Sequence, residues 1–157
     1  MKIDLIQLKF NGMTSYKYKP FKYCCDEIQN NKCIEFTNED VVEPVGDVND
    51  NGYYIPQFCT ANTEIISSWD DEFERTDNYP IQFCPHCGEK IEINVVNEVD
   101  VSEKFKKLSI QCDELWKKCN KTNSKKKESE MLNQFYKLNR QINEYYRLSE
   151  WDENKYK

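Results

Sequence analysis

The fold prediction for this 157-residue chain starts from the segment Tyr79-Pro-Ile-Gln-Phe-Cys-Pro-His-Cys-Gly-Glu-Lys-Ile91. Two cysteines separated by two residues can bind one tetrahedral metal ion when the turn between them points its backbone N–H groups at the sulfur atoms. Pro85 fixes φ at the start of that turn, and Gly88 supplies the positive φ at its end. The motif therefore predicts one knuckle of a zinc ribbon, with Cys84 and Cys87 as half of a metal site.

The residues on both sides of this knuckle have the alternation of β-strands. Residues 81–83 lead into the cysteines, and residues 90–96 follow them with apolar side chains at every second position. This strand–knuckle–strand pattern is typical of a small antiparallel β zinc ribbon.

The remaining two metal ligands have to come from another part of the chain. Cys24 and Cys25 are the favoured pair. Adjacent cysteines in an extended segment point to opposite faces, so both reach one metal only if the backbone turns there. Otherwise one of them binds the metal, and Cys33 or Cys59 completes the site.

Composition indicates a cytoplasmic protein. The residues after Met1 include an acid and several polar side chains, where a signal peptide would be apolar. No apolar stretch approaches the roughly 20 residues of a membrane span. Eight cysteines in a cytosolic chain more often bind metal than form disulfides, because the cytosol keeps thiols reduced.

Charge divides the chain into two parts, and we predict two domains from it. Residues 1–98 carry 8 basic and 18 acidic side chains, a net charge of −10, whereas residues 99–157 carry 14 and 10, a net charge of +4. The first part is predicted to be the β-rich, zinc-ribbon-like domain. The second is predicted to be helical.

The N-terminal part contains several predicted strands. Residues 2–10 alternate, and Asn11-Gly12 is a hairpin turn signal. Residues 16–23 alternate aromatics with lysines, which favours a half-buried strand with outward lysines over a surface that stacks bases and binds phosphate. Residues 53–60 and 63–69 are also predicted strands.

Two acidic segments resemble cation sites without completing them. Residues 47–52 match the opening of a calcium loop, but its twelfth position is Phe58 instead of a bidentate Glu. A hairpin turn at Asn51-Gly52 explains the same residues. Residues 70–77 are predicted to be a solvated acidic loop, which could also dock a basic partner.

After Val99 the apolar spacing changes to three and four residues, which predicts two amphipathic helices. Ser102 and Ser124 stand where N-caps would, and a short polar loop separates the stripes. Cys112 and Cys119 lie on the first stripe and are predicted to be small core residues. The pair predicts an antiparallel helical hairpin that closes on itself, on the ribbon, or on another copy of the chain.

The sequence argues against an enzyme. His86, the single histidine, lies inside the knuckle, the four glycines form no phosphate or dinucleotide loop, and a closed four-cysteine site leaves no open coordination position. The remaining enzyme hypothesis is a thiol-disulfide oxidoreductase. Cys84-Pro-His-Cys87 resembles the active-site motif of periplasmic thiol oxidases of the thioredoxin superfamily. In those enzymes the motif opens a helix and a cis-proline follows; here a strand pattern follows, and no proline comes after Pro85.

The segment Phe21-Lys-Tyr-Cys-Cys-Asp-Glu-Ile28, followed later by the knuckle at 80–91, resembles a loose group of small zinc-ribbon-like proteins of bacteriophages and low-GC Gram-positive bacteria. The resemblance covers residues 16–95. It implies that Cys24, Cys25, Cys84 and Cys87 bind structural Zn²⁺. It implies no biochemical activity, because ribbon folds host many functions.

Two functional hypotheses remain. In the first, the protein is a non-catalytic, phage-encoded accessory protein in the host cytoplasm that binds and modulates a host protein of the defence, transcription or replication machinery. Its acidic surface could also mimic nucleic acid. In the second, it binds nucleic acid through residues 16–23 and the basic residues 118–127. The net charge of the first 98 residues favours the protein partner.

Overall fold

In the computed structural model of the chain, the described residues are 1–38, 54–67, 72–122 and 124–156, with residues 72 and 73 described by their backbone only. They form an α+β fold. Its elements are β1 (Lys2–Phe10), β2 (Met13–Tyr18), α1 (Asp26–Asn30), β3 (Ile34–Thr37), β4 (Gln57–Ser67), β5 (Glu72–Pro80), β6 (Glu92–Asp100), α2 (Ser102–Cys119), α3 (Lys125–Tyr146), β7 (Ser149–Glu150) and α4 (Glu153–Tyr156). Among the described helices, none combines the length and the apolar character that a membrane crossing requires.

The strands form two sheets. A four-stranded sheet has the order β6-β1-β2-β7, and a three-stranded sheet has the order β3-β4-β5. β1 and β2 are the predicted antiparallel hairpin, and its turn places Asn11 at φ 49° and Gly12 at φ 72°. Positive φ at both central positions is the geometry for which Asn-Gly is selected.

Two strand pairings are parallel, where the sequence predicted antiparallel strands only. β6 pairs with β1, and β7 pairs with β2, both in parallel. The strands expected on either side of the knuckle do not continue as a hairpin, since only an isolated bridge joins Phe83 to Lys90. Beyond that bridge the chain pairs with β1, where Ile93 lies opposite Ile3 and extends the apolar surface.

The four-stranded sheet buries an apolar cluster on each face, because alternate residues of β1 point to opposite sides. The first cluster contains Met1, Ile3, Leu5, Tyr16, Ile28, Ile34, Phe58, Cys84 and Ile91. The second contains Ile6, Leu8, Phe10, Val101, Phe105, Tyr145 and Tyr156. The first lies between the two sheets and includes a cysteine of the knuckle, and the second lies beneath the helices.

The course of β2 differs from the strand predicted at residues 16–23, where aromatics alternate with lysines. It ends at Tyr18 instead of extending to residue 23. Tyr16 is buried in the first cluster, and the side chain of Lys17 points to the other face and is fully buried. The Lys17 ammonium donates hydrogen bonds to the carbonyl oxygens of Glu144 and Arg147 at the end of α3. The prediction of outward-facing lysines is therefore wrong at Lys17.

Other strand boundaries also differ from the predictions. In place of two strands at 53–60 and 63–69 there is one strand, β4, which pairs with β5 from Cys59 to Ser67; residues 53, 68 and 69 lie outside the described residues. Residues 72–77, predicted to lie in an acidic loop, belong to β5, because cross-strand pairing with β4 satisfies their backbone. The calcium-loop pattern at 47–52 lies outside the described residues.

The two predicted amphipathic helices are α2 and α3. Their rings contact each other, with centroid distances of 5.0 Å between Trp116 and Phe135 and 5.3 Å between Phe105 and Tyr145. The N-cap of α2 is Val101, one residue before the predicted Ser102. Ser124 is the N-cap of α3, but its side chain makes no capping hydrogen bond.

The C-terminal segment adds two short elements that the sequence did not predict. β7 joins the edge of the four-stranded sheet, and α4 buries Tyr156, whose ring stacks on Trp151 with centroids 5.3 Å apart. The division of the chain after residue 98 stays a prediction. β6 runs across that position, and β7 lies in the same sheet as β1.

Candidate metal centre

The sulfur atoms of Cys24, Cys25, Cys84 and Cys87 lie within 4.8 Å of one another. Within the described part of the chain, this is the one group of three or more cysteine, histidine or acidic side chains placed to hold a metal ion. The Sγ atoms of Cys25 and Cys84 are 3.6 Å apart. Four Zn–S bonds of about 2.3 Å in a tetrahedron require sulfur separations of about 3.8 Å. The cluster therefore has the dimensions of a four-thiolate metal site.

The first ligand pair reaches the cluster because the chain bends at Cys24 and Cys25, directly before α1. Cys25 is the N-cap of α1 and has an extended backbone, with φ −156° and ψ 163°. The helix begins at the next residue, Asp26. This change of direction lets the adjacent thiols of Cys24 and Cys25 approach the same point, which a continuous strand would prevent.

The second pair is held by the knuckle turn. The amide of Cys84 donates to the carbonyl of Glu89 at 2.8 Å, and the amide of Gly88 donates back to the carbonyl of Cys84 at 2.9 Å. Gly88 has φ 75°, as predicted for the end of the turn. The amide of Ile91 then donates to the carbonyl of Gln82 at 2.9 Å, which closes the loop behind the cysteines.

The backbone of the turn also acts on the Cys84 sulfur. Burial would raise the pKa of this thiol, but the backbone N–H groups of Cys87 and His86 and the neighbouring thiols stabilise its anion and lower its pKa to about 6. These N–H groups are the donors that the knuckle motif predicts. A thiolate accepting amide hydrogen bonds is the form of cysteine that binds metal.

The thiols of the other pair have raised pKa values. Burial, followed by hydrogen bonding with Cys87 and Cys84, raises the pKa of Cys24 to about 12. At Cys25 the backbone N–H of Ile28 lowers the pKa, but burial and the neighbouring thiols outweigh it and raise the value to about 11. A metal ion bound by all four sulfurs would displace the protons that they share.

Contacts that the sequence did not reveal join the knuckle to its surroundings. The imidazole Nε2 of His86 lies 3.2 Å from the side-chain nitrogen of Asn31, just after α1. The amino group of Met1 donates to the carboxylate of Glu89 at 2.6 Å and to the carbonyl of Lys90 at 2.5 Å. Each contact joins residues far apart in the chain, so no local sequence pattern predicts it.

The remaining cysteines lie outside the cluster. Cys33 is exposed in the turn before β3, and Cys59 is fully buried in β4. Burial and the nearby Glu35 carboxylate raise the pKa of Cys59 to about 11, which keeps it a thiol. Cys112 and Cys119 are buried on α2, where the helical stripe predicted them. Neither alternative ligand, Cys33 or Cys59, reaches the four sulfurs.

The local backbone also bears on the redox hypothesis. From residue 72 to residue 100 every residue is described, and the segment contains strands and the knuckle turn but no helix. A helix N-terminus at Cys84, which activates the first thiol of thioredoxin-type enzymes, is therefore missing from this segment. The low pKa of Cys84 has its cause in the N–H groups of the turn.

The chain matches no family model, no curated protein and no solved structure. The resemblance to small zinc-ribbon-like proteins stays a prediction from the two cysteine motifs. What the geometry establishes is an α+β protein whose four cysteines, drawn from two distant segments, lie within ligand distance of one another.

Proposed function

We propose that the four cysteines bind one structural Zn²⁺ and that the protein is a non-catalytic, zinc-stabilised module that binds another protein. The observation that carries this proposal is the closed four-sulfur cluster. Four thiolates satisfy tetrahedral zinc completely and leave no position for a water or a substrate. A site of this kind contributes folding free energy instead of chemistry.

The position of the cluster explains what the metal would stabilise. Cys84 is 2 % exposed and belongs to the apolar cluster between the two sheets. Zinc would join the bend before α1 to the knuckle between β5 and β6. The two segments also meet in the contact between His86 and Asn31 and in the apolar cluster that Ile28 and Cys84 share. We assign the first part of the fold to a zinc-ribbon-like arrangement on this basis.

The second part supplies a surface for a protein partner. We interpret α2 and α3 as a helical hairpin, since their rings are in contact at both Phe105–Tyr145 and Trp116–Phe135. Trp116 is 46 % exposed and Tyr136 is 56 % exposed. Tryptophan and tyrosine are the residues that most often dominate binding energy at protein interfaces. We call Trp116, Phe135 and Tyr136 the aromatic patch.

The partner is proposed to be a protein of the host if the chain is phage-encoded, as the resemblance implies. Nucleic acid is the alternative partner, and two observations count against it. Tyr16 and Lys17 belong to the segment 16–23 through which the nucleic-acid hypothesis has the protein bind, and both are buried. The chain as a whole carries a net charge of −6, which repels a polyanion.

The test is capture of the partner with matched variants. Wild-type protein, Trp116→Ala, Tyr136→Ala and the control Tyr79→Ala are immobilised and exposed to host lysate. Tyr79 is an aromatic residue of similar exposure, 42 %, but it lies in β5. A partner retained by wild type and Tyr79→Ala but lost by both patch variants supports the proposal, provided that the purified partner rebinds in a fixed stoichiometry.

Two other results would contradict this proposal. If light scattering shows a dimer that Trp116→Ala converts to a monomer, the aromatic patch binds a second copy of the chain. If wild type binds immobilised DNA or RNA in low salt and releases it as salt rises, the nucleic-acid hypothesis replaces the protein partner.

A further inference from the structure

A cavity of about 410 Å³ opens between α2, α3 and α4, on the side of the molecule that holds no cysteine of the metal cluster. Its apolar wall is formed by Leu108, Tyr145 and Tyr156. The two tyrosine rings meet edge to face with centroids 5.5 Å apart. The Tyr156 hydroxyl donates to the carbonyl of Glu144 at 3.3 Å. This volume lies in the range that small organic ligands occupy.

The charges around the cavity oppose the charge of the whole protein. Lys104, Lys107 and Lys155 line it together with one carboxylate, that of Glu144, which gives a local net charge of +2 in a chain of net charge −6. The Glu144 carboxylate is already engaged by Lys155 at 3.6 Å. The lining of the cavity therefore contains more ammonium groups than carboxylates.

The three lysines differ in the hydrogen bonds and ion pairs that their ammonium groups form. Lys104 donates to the carbonyl of Lys155 at 3.1 Å. For Lys107, no hydrogen bond or ion pair is formed with any part of the chain that the structure describes. Behind the wall, the Lys17 ammonium lies 5.6 Å from the centre of the Tyr156 ring and adds a further positive charge beneath the cavity.

We propose that this cavity binds a small amphipathic anion. An apolar or aromatic body would pack against Leu108, Tyr145 and Tyr156, and a carboxylate or sulfonate group would lie between the ammonium groups of Lys104 and Lys107. Burial of the body removes apolar surface from water, and the paired charge fixes its orientation. A cation of the same size would meet the repulsion of three lysines. This site is independent of the metal cluster and of the aromatic patch.

The test uses 8-anilinonaphthalene-1-sulfonate as the probe, with the full chain in its metal-loaded form. We expect one probe molecule to bind per chain with increased fluorescence. Decanoate, an anion with an apolar chain, displaces the probe, whereas decyltrimethylammonium, a cation with the same chain, does not. Equal displacement by the anion and the cation would overturn the proposal, as would a failure of the probe to bind.

Adjacent lysines on α2 provide the matched variants. Lys107 lines the cavity, whereas Lys106 does not, and both side chains are exposed, so replacing either by glutamine keeps the fold. Loss of one charge-assisted hydrogen bond predicts affinity about tenfold weaker for Lys107→Gln. Lys106→Gln is expected to bind the probe as wild type does, and so is Trp116→Ala. Equal affinities of the two lysine variants, or loss of binding in Trp116→Ala, would contradict the assignment of the site to this cavity.

Discussion

Replacement of Lys17 by methionine is expected to remove a pH-dependent part of the folding free energy. The side chain is fully buried, and its ammonium contacts the carbonyl oxygens of Glu144 and Arg147 at the end of α3. Burial lowers the pKa of Lys17 from 10.5 to about 8, the Glu144 carboxylate opposes this shift, and the Lys155 ammonium adds to it. The folded protein therefore releases this proton more readily than the unfolded chain does.

The sign and size of the effect follow from proton linkage. Between pH 8 and pH 10.5 the unfolded chain binds more protons at this residue than the folded protein, so the stability that Lys17 contributes rises with pH. One unit of pKa corresponds to about 1.4 kcal/mol. From pH 7 to pH 9.5 the contribution grows by about 2 kcal/mol, since the folded side chain loses its proton while the unfolded one keeps it.

The measurement is urea unfolding of wild type, Lys17→Met and Lys19→Met at pH 7, 8 and 9.5 with constant zinc. Thiols and tyrosines titrate in all three proteins, so their effects cancel in the differences. The stability of wild type relative to Lys17→Met should increase by about 2 kcal/mol across this range. The exposed Lys19 should show no such trend. A difference that stays constant or shrinks with pH would refute the burial of a titrating Lys17.

Four further substitutions test the metal cluster and the core. In Cys84→Ser, circular dichroism should show much of the chain unfolded, since metal binding supplies folding free energy. Cys112→Ala should lower the free energy of unfolding by only about 1 kcal/mol through lost packing. Equal stability of the two variants would contradict the ligand assignment. Phe10→Ala should lower the free energy of unfolding by about 3–5 kcal/mol. The Phe10 ring is 1 % exposed, and its centroid lies 4.7 Å from that of Phe105. A loss under about 1 kcal/mol would contradict this packing. Gly88→Ala should weaken zinc binding by about tenfold in a chelator competition. The new Cβ meets no atom within 4 Å, so the effect comes from the backbone strain of φ 75° alone, about 1–2 kcal/mol. Unchanged zinc affinity would show that this turn does not control the site.

The local features of this protein could be predicted from its sequence. The β1–β2 turn at Asn11-Gly12, the knuckle turn at Gly88 and the two amphipathic helices each depend on residues close together in the chain. Their periodicity or φ requirement is visible without any knowledge of the fold. Such patterns also named the four cysteines that the structure brings together.

Features that depend on distant contacts could not be predicted in the same way. The parallel pairing of β6 with β1 joins the two ends of a long segment, and β7 contains only two residues. The burial of Lys17 was predicted wrongly because alternation alone does not tell which face of a strand is covered. Here α3 covers the face that would otherwise be solvated, and its terminal carbonyl groups accept the lysine's hydrogen bonds.

The choice between the possible ligand sets also depends on contacts between distant parts of the chain. Cys24 and Cys25 are the favoured pair by sequence, with Cys33 or Cys59 as the alternative if the backbone does not turn; the bend at Cys25 brings the adjacent thiols together, and the cluster contains neither Cys33 nor Cys59. Sequence alone gives no signal for this bend beyond the short helix that follows it.

The most direct test of the account is the metal content of the untagged protein by elemental analysis, with reactive thiols counted before and after chelation. We predict one zinc per chain and Cys33 as the readily reactive thiol, since Cys59, Cys112 and Cys119 are buried. Removal of the metal should expose at least four more thiols. A protein that contains no metal, stays folded, and interconverts Cys84 and Cys87 between dithiol and disulfide would contradict the structural zinc site and favour redox chemistry instead.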